Sequence, residues 1–243
     1  RHILTSSAST DPEILASLDL TLRKIIPVLG DTTRCFSSSS SSSSSLGESS
    51  RQQFRLPLSA ITRHPGYSRA SSSLYTQNAS DVLVSNLAII TLDRNVVRTF
   101  AVRPVPVETG RKSVASGRTV KIVYMKYFVG KNGPDLVLNE GRLFVRGCRS
   151  EKLFFLDPPE DASFASCFTW SSKTPCCNLN ERGSPVVVGD NKDNVALVGL
   201  HQMSDCVDHQ NAVTVFTSSF VPKMHADFVC RFAETCLLDG RVI

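Results

Sequence analysis

The chain has 243 residues, enough for one large domain or two small ones. Its 41% hydrophobic and 20% charged content excludes a globally disordered chain and permits a sizeable core. A net charge of +5 permits a polyanionic partner without demanding one, and no apolar run approaches the length of a membrane span.

In chain order the sequence reads as many short strands. Ile3-Leu4-Thr5 opens it, and Thr21 to Ile26 follows. Residues 37 to 45 are an unbroken serine run, extended to Ser50 by Leu46-Gly47-Glu48-Ser49. That stretch has almost nothing apolar to bury and cannot offset the entropy of ordering, so residues 37–50 are predicted to be a flexible loop insertion. Leu87 to Leu92 is a short apolar run, and Thr119 to Tyr124 alternates. Pro185 to Val188 and Val195 to Leu200 are β-rich, with the turn signal Gly189-Asp190-Asn191 between them, which predicts a hairpin. Only the tail has a helical period: Val221, Met224, Phe228, Val229, Phe232 and Leu237 predict a helix within Ser218 to Leu238, capped by Ser218 or Ser219. Repeated short strands with turn signals predict an all-β barrel or sandwich.

The eight cysteines form no CxxC pair, so a structural zinc site has little support. An even, scattered set fits disulfides in an oxidising compartment, and the sequon Asn78-Ala79-Ser80 fits the same compartment. The expectation is a secreted or cell-surface protein, with Asn78 as the glycan acceptor. No signal peptide is visible and the chain opens at Arg1, so the start of the gene product is expected upstream.

Five blocks carry a resemblance. Ile3-Leu4-Thr5-Ser6-Ser7-Ala8-Ser9 resembles the Val-Leu-Thr-Ala-Ala-His-Cys block of chymotrypsin-like serine proteases. His64-Pro65-Gly66-Tyr67 resembles their His-Pro-x-Tyr, and Ser85 to Ile90 the Asn-Asp-Ile-Ala-Leu-Leu block that carries the triad aspartate. Glu181-Arg182-Gly183-Ser184-Pro185-Val186-Val187 resembles Asp-Ser-Gly-Gly-Pro-Leu-Val, and Val198 to Val221 the last strands and closing helix. The blocks occur in the family's order over nearly the whole chain. Asn86 and Arg182 are 96 positions apart, against about 93 in the template triad. The resemblance implies one trypsin-like domain over residues 1–243. Its fold is all-β, with two six-stranded antiparallel barrels of the chymotrypsin type and a C-terminal helix. The first barrel is incomplete at the N-terminus, where two further strands are expected ahead of Arg1.

The chemistry implied at the matched positions is absent. Acyl transfer of this type needs a hydroxyl nucleophile, an imidazole base and a carboxylate that orients the base. Ala8 stands at the imidazole position, Asn86 at the carboxylate position and Arg182 at the nucleophile position. Alanine accepts no proton, an amide carries no charge, and an arginine stays protonated. Asn180 replaces the glycine whose backbone helps form the oxyanion hole. Ser204, with Ala212 or Thr214, replaces the glycines that keep the primary pocket open. Arg182 either fills the old cleft, beside Glu181 or Asp205, or points to solvent.

The resemblance further implies bridges between Cys148 and Cys167, and between Cys206 and Cys177 or Cys176. Cys35, Cys230, Cys236 and the remaining member of the Cys176-Cys177 pair have no family counterpart. Cys230 and Cys236 lie six apart, so their mutual pairing requires the helix to end between them. A thiol nucleophile drawn from Cys176 or Cys177 with His201 or His209 is a weaker account than structural bridges. His201, Cys206 and His209 lack a fourth ligand at defined spacing, so no metal is expected. Residues 111–152 hold ten Lys or Arg against three Asp or Glu. A solvated strand face explains this better than a polyanion site, and no nucleic-acid motif is present. Strand periodicity makes the interleaved Tyr124, Tyr127, Phe128 and Phe144 core candidates.

The reading is therefore a non-catalytic protease homologue that binds one or more proteins and uses no cofactor. Two alternatives stand beside it: a structural component of a larger assembly linked through its unmatched cysteines, and an enzyme with unorthodox residues.

Overall fold

The computed structural model describes residues 1–7, 10–11, 28–29, 33–35, 52–54, 60–67, 86–99, 102–115, 117–130, 133–146, 165–170, 183–189, 194–205, 214–221 and 223–243. The strand predicted at Thr21 to Ile26, the serine run, the sequon at Asn78, and Cys148, Cys176, Cys177 and Cys206 lie outside these residues.

Strands β1 (His2–Thr5), β5 (Ile61–Arg63) and β6 (Ala88–Thr91) form an antiparallel sheet with β6 in the middle. The pairs β2 (Val28–Leu29) and β4 (Gln52–Gln53) form a separate small ladder. Six longer strands make the second half: β8 (Thr119–Gly130), β9 (Gly133–Arg146), β10 (Ala165–Trp170), β11 (Pro185–Val188), β12 (Ala196–Asp205) and β13 (Thr214–Ser219). They pair in the order β11-β8-β9-β10-β13-β12, and β12 pairs back to β11, so the circuit closes on itself. The short β3 (Thr33–Cys35) adds to β9. The hairpin predicted between residues 188 and 196 is present as the antiparallel β11–β12 pair. Gly189 opens its turn at φ +113°, and a Cβ there would meet the Asn194 carbonyl, so only glycine fits.

Alternation explains the inner face. Val120, Ile122, Leu143, Val145, Val186 and Val198 pack together inside the closed circuit. The same period turns Phe144 outward, 44% exposed, between buried Leu143 and Val145. The expectation of a core role for Phe144 is thereby corrected: its neighbours on either side occupy the inward register. Phe54, Ala60, Ile90 and Leu92 form a second cluster under the first sheet. A third joins the two halves. Leu87 and Ile89 from the first sheet meet Val107, Leu200, Phe220, Phe228 and Val229.

The tail helix is shorter than its period suggests. It spans Lys223–Cys230, with His225, Phe228 and Val229 buried at i, i+3, i+4 spacing. Ser218 and Ser219 belong to β13 and cannot cap it. After Cys230 the chain turns, with the Phe232 and Ala233 amides donating to the Val229 carbonyl at 3.0 and 3.1 Å. Cys236 and Leu237 then form β14 (Cys236–Leu238), so Leu237 is a strand residue. This turn brings Cys236 back to Cys230, and the two form a disulfide with Cα atoms 5.8 Å apart. They are therefore not the intermolecular links that their lack of a family counterpart had left open.

The C-terminal hairpin is tied down by one carboxylate. β7 (Val107–Glu108) runs parallel to β14, and β15 (Arg241–Val242) pairs with β14. The turn between them places Asp239 and Gly240 at φ 51° and 82°, the sign a two-residue hairpin loop needs at both positions. Buried Glu108 accepts from the Gly110 amide at 2.6 Å, the Asp239 amide at 2.9 Å and the Gly240 amide at 2.8 Å.

A histidine cluster fastens the helix to the first sheet. His64 follows β5, is 4% exposed, and packs edge-on against His225 and Phe228 at 5.3 and 5.1 Å. Its Nδ1 accepts the Gly66 amide at 3.1 Å, which suits a neutral ring. Burial lowers the His64 pKa from its ordinary 6.5, partly opposed by a hydrogen bond to the Met224 backbone. The unfolded chain thus binds the extra proton more readily than the folded one. Stability should be full above about pH 6.5 and fall as pH drops below it. His64→Gln should remove up to one proton from that dependence, checked by urea unfolding between pH 7.5 and 5.

Candidate functional site

Four segments converge where the first sheet meets the closed circuit. The end of β1 supplies Ser6 and Ser7, both fully buried. The residue preceding Leu87 and β6 is Asn86, 1% exposed. The start of β11 supplies Gly183 and Ser184, and the middle of β12 supplies His201 and Gln202. Ala8, Asn180 and Arg182 lie outside the described residues, but their chain neighbours Ser7 and Gly183 are here. Gly183 sits so close to β1 that a Cβ would stand 3.4 Å from the Ser6 amide nitrogen and from Thr5 Oγ1. Its φ of +92° also favours glycine.

A chain of amides and hydroxyls holds the segments together. Ser6 Oγ donates to Asn86 Oδ1 at 3.0 Å, and Asn86 Nδ2 donates to Gln202 Oε1 at 2.7 Å. Gln202 Nε2 returns a bond to the Asn86 carbonyl at 3.3 Å. Beside it, Ser7 Oγ donates to the Leu87 carbonyl at 2.5 Å. The backbones of β11 and β12 lock through Gly183 N to His201 O and His201 N to Ser184 O, both 2.8 Å. The Asn86 side chain is thus engaged through both its amide nitrogen and its carbonyl oxygen. A buried amide bonded at both its nitrogen and its oxygen fixes geometry and carries no charge at any ordinary pH.

Sequence reading places Asn86 here but does not pick out Ser6 or Gln202. The only signal for them is polarity in strands that are otherwise apolar, which marks a buried partner without naming it. Ser184, two positions beyond Arg182, is buried with its carbonyl accepting the His201 amide. Ser204 and Thr214 fall on the paired strands β12 and β13, where Ser204 opposes Val215 and Asp205 opposes Thr214, and Ala212, the alternative to Thr214 at the second pocket position that the resemblance implies, lies outside the described residues. Cys167 lies on β10 opposite Arg146 and Phe216. Among the described residues no cluster of three metal-ligating side chains occurs, and no helix is long and apolar enough to cross a membrane.

No protein-family profile matches this sequence, and no curated protein matches it either. Solved structures do match. One is neuropsin, a serine protease expressed in the limbic system of mouse brain, at a TM-score of 0.61 and 15% identity. The match covers 95% of this chain and 85% of that one. Together with the closed six-strand circuit and the short C-terminal helix, this similarity establishes that the chain has a chymotrypsin-like fold.

Proposed function

We propose that this chain is a non-catalytic homologue of the chymotrypsin-like proteases that acts by binding other proteins, in the secretory route or at the cell surface. The carrying observation is the identity of three residues: Ala8, Asn86 and Arg182 stand where the base, the orienting carboxylate and the nucleophile would be. The buried surroundings of Asn86 support the reading. Its amide is engaged by Ser6 and Gln202, so the position is built for a neutral group. A framework held by such a buried network keeps its shape without chemistry to perform, which suits recognition. The disulfide between Cys230 and Cys236 supports an oxidising compartment. It also weakens the alternative of an assembly linked through unmatched cysteines, since two of those cysteines satisfy each other.

The test is a fluorophosphonate probe on the native protein, which reacts with activated serines. No labelling is expected above a heat-denatured control. Stoichiometric labelling would overturn the proposal. A non-reducing gel of the native complex then shows whether partners are held by disulfides or by contact alone.

A further inference from the structure

The Cys230–Cys236 disulfide closes a loop of residues 231–235 at the end of the helix. Its two sulfurs have different surroundings. Cys236 is 7% exposed and belongs to the apolar cluster that joins the two halves of the molecule. Cys230 is only half-buried, at the margin of that cluster. The loop between them carries two contacts to the first half. Phe232 packs edge-on against His2 of β1, with ring centroids 5.3 Å apart, and Glu234 accepts from Arg98 at 2.6 Å. Neither is strong alone. The ion pair is solvent-exposed on both sides, and each contact requires two side chains to be ordered.

Little backbone bonding holds this loop besides the bridge. The Phe232 and Ala233 amides share one acceptor, the Val229 carbonyl, and the next bond runs from the Val107 amide to the Thr235 carbonyl. The C-terminal hairpin is anchored separately, through the β7–β14 pairing and the Glu108 carboxylate. Neither cysteine lies on a strand of the closed circuit. They are six positions apart, so the bridge removes less entropy from the unfolded chain than one across a long loop would. Its main effect is local: it orders residues 231–235 in advance, so that Phe232 and Glu234 reach the first half at little further entropic cost. We propose that this disulfide is a redox-sensitive clip: a dithiol reductant opens it, and opening releases residues 231–235 from His2 and Arg98 while the rest of the fold stays closed. The reaction begins at Cys230, because Cys236 is sealed in the core. The donor's thiolate bonds to Cys230 Sγ, the Cys230–Cys236 bond breaks, and Cys236 leaves as a thiolate that takes a proton from water. The donor's second thiolate then attacks the donor sulfur of the mixed disulfide, and Cys230 leaves and is protonated in turn. Two electrons pass to the protein, which ends with two thiols, and the donor ends as its own disulfide.

The test uses the native chain and a reduced protein of the CxxC dithiol type, with a version whose second cysteine is serine to trap the mixed disulfide. The trap should be recovered on Cys230. With the full dithiol, alkylation mapped by mass spectrometry should find Cys230 and Cys236 free while the chain stays folded. Amide hydrogen exchange at residues 231–235 should then rise at least ten-fold, with residues 185–188 and 196–200 unchanged. The double variant Cys230→Ser with Cys236→Ser should show the same exchange pattern with no reductant. Recovery of the trap on Cys236, or on neither cysteine, would overturn the proposal. So would unchanged exchange at residues 231–235 once both thiols are free. Loss of protection throughout the circuit on reduction, or a double variant that does not fold, would make the bridge a staple of the whole fold and would equally sink it.

Discussion

Replacing Glu108 by alanine should cost about 3 kcal/mol or more of unfolding free energy, on the scale of hydrogen bonds to charged acceptors. The carboxylate takes the amides of Gly110, Asp239 and Gly240, and it is 5% exposed. Removing it takes the acceptor from three backbone donors, of which the Gly110 amide is buried and the Asp239 and Gly240 amides lie on an exposed turn. The loss should be local first. β14 and β15 depend on the Asp239-Gly240 turn, and that turn holds two successive residues at positive φ. The non-glycine Asp239 adopts this conformation at an energetic cost that the carboxylate offsets. Glu108→Gln keeps one acceptor oxygen but turns an NH2 group toward amides that also donate, so it should recover only part of the loss. Urea unfolding gives the magnitude, and proteolysis near residues 238–243 in Glu108→Ala but not in the parent shows the locality. A change below about 1 kcal/mol would mean that water replaces the carboxylate without penalty.

Returning a serine to position 182 should give no hydrolysis. The hydroxyl would have no base, because Ala8 accepts no proton. Roles in such a unit are strongly non-additive: losing the nucleophile or the base alone costs about as much as losing all three, several orders of magnitude in turnover. Adding a histidine at position 8 still leaves Asn86, whose amide is committed to Ser6 and Gln202. An aspartate at position 86 would place a carboxylate at a site that is 1% exposed and lined by the Gln202 carbonyl oxygen. Gln202 would have to turn its amide to donate before that charge could be tolerated. The expected order is no turnover for Arg182→Ser, none for the double change with Ala8→His, and at most a trace for the triple change. An ester substrate with an active trypsin-like enzyme as the positive control checks it. Turnover by the single variant would count against the correspondence of Arg182 with the nucleophile position.

Much of the fold is legible in the residues, for identifiable reasons. Val186, Val187 and Val198 lie in runs whose length and branching suit strands, and Gly189 marks the turn between them. The block order from Ile3 to Val221 carries the chymotrypsin-like reading. What escapes is set by tertiary contacts. Phe144 is as apolar as its neighbours, and only the register of β9 decides that it faces outward. The 3.6 period of the tail continues past Cys230, but the disulfide and the β7 pairing pull Cys236 and Leu237 into a strand. Asp239-Gly240 is itself a strong hairpin signal, masked here by the helical period that runs up to it. At the candidate site, Asn86 is found by correspondence. Ser6 and Gln202 are invisible because a buried hydrogen bond over 80 or 116 positions has no local signature.

The closed circuit of β8 to β13 has a further consequence. A ring of strands presents no terminal row of amides along its main path, so it offers little to an incoming chain. The outer strands among the described residues are β1 and β5 of the first sheet, both strands of the β2–β4 ladder, β3 beside β9, and β15 with its exposed Val242 and Ile243. A strand could leave that circuit only by breaking ladder bonds on both of its sides, so the circuit resists strand exchange as a unit.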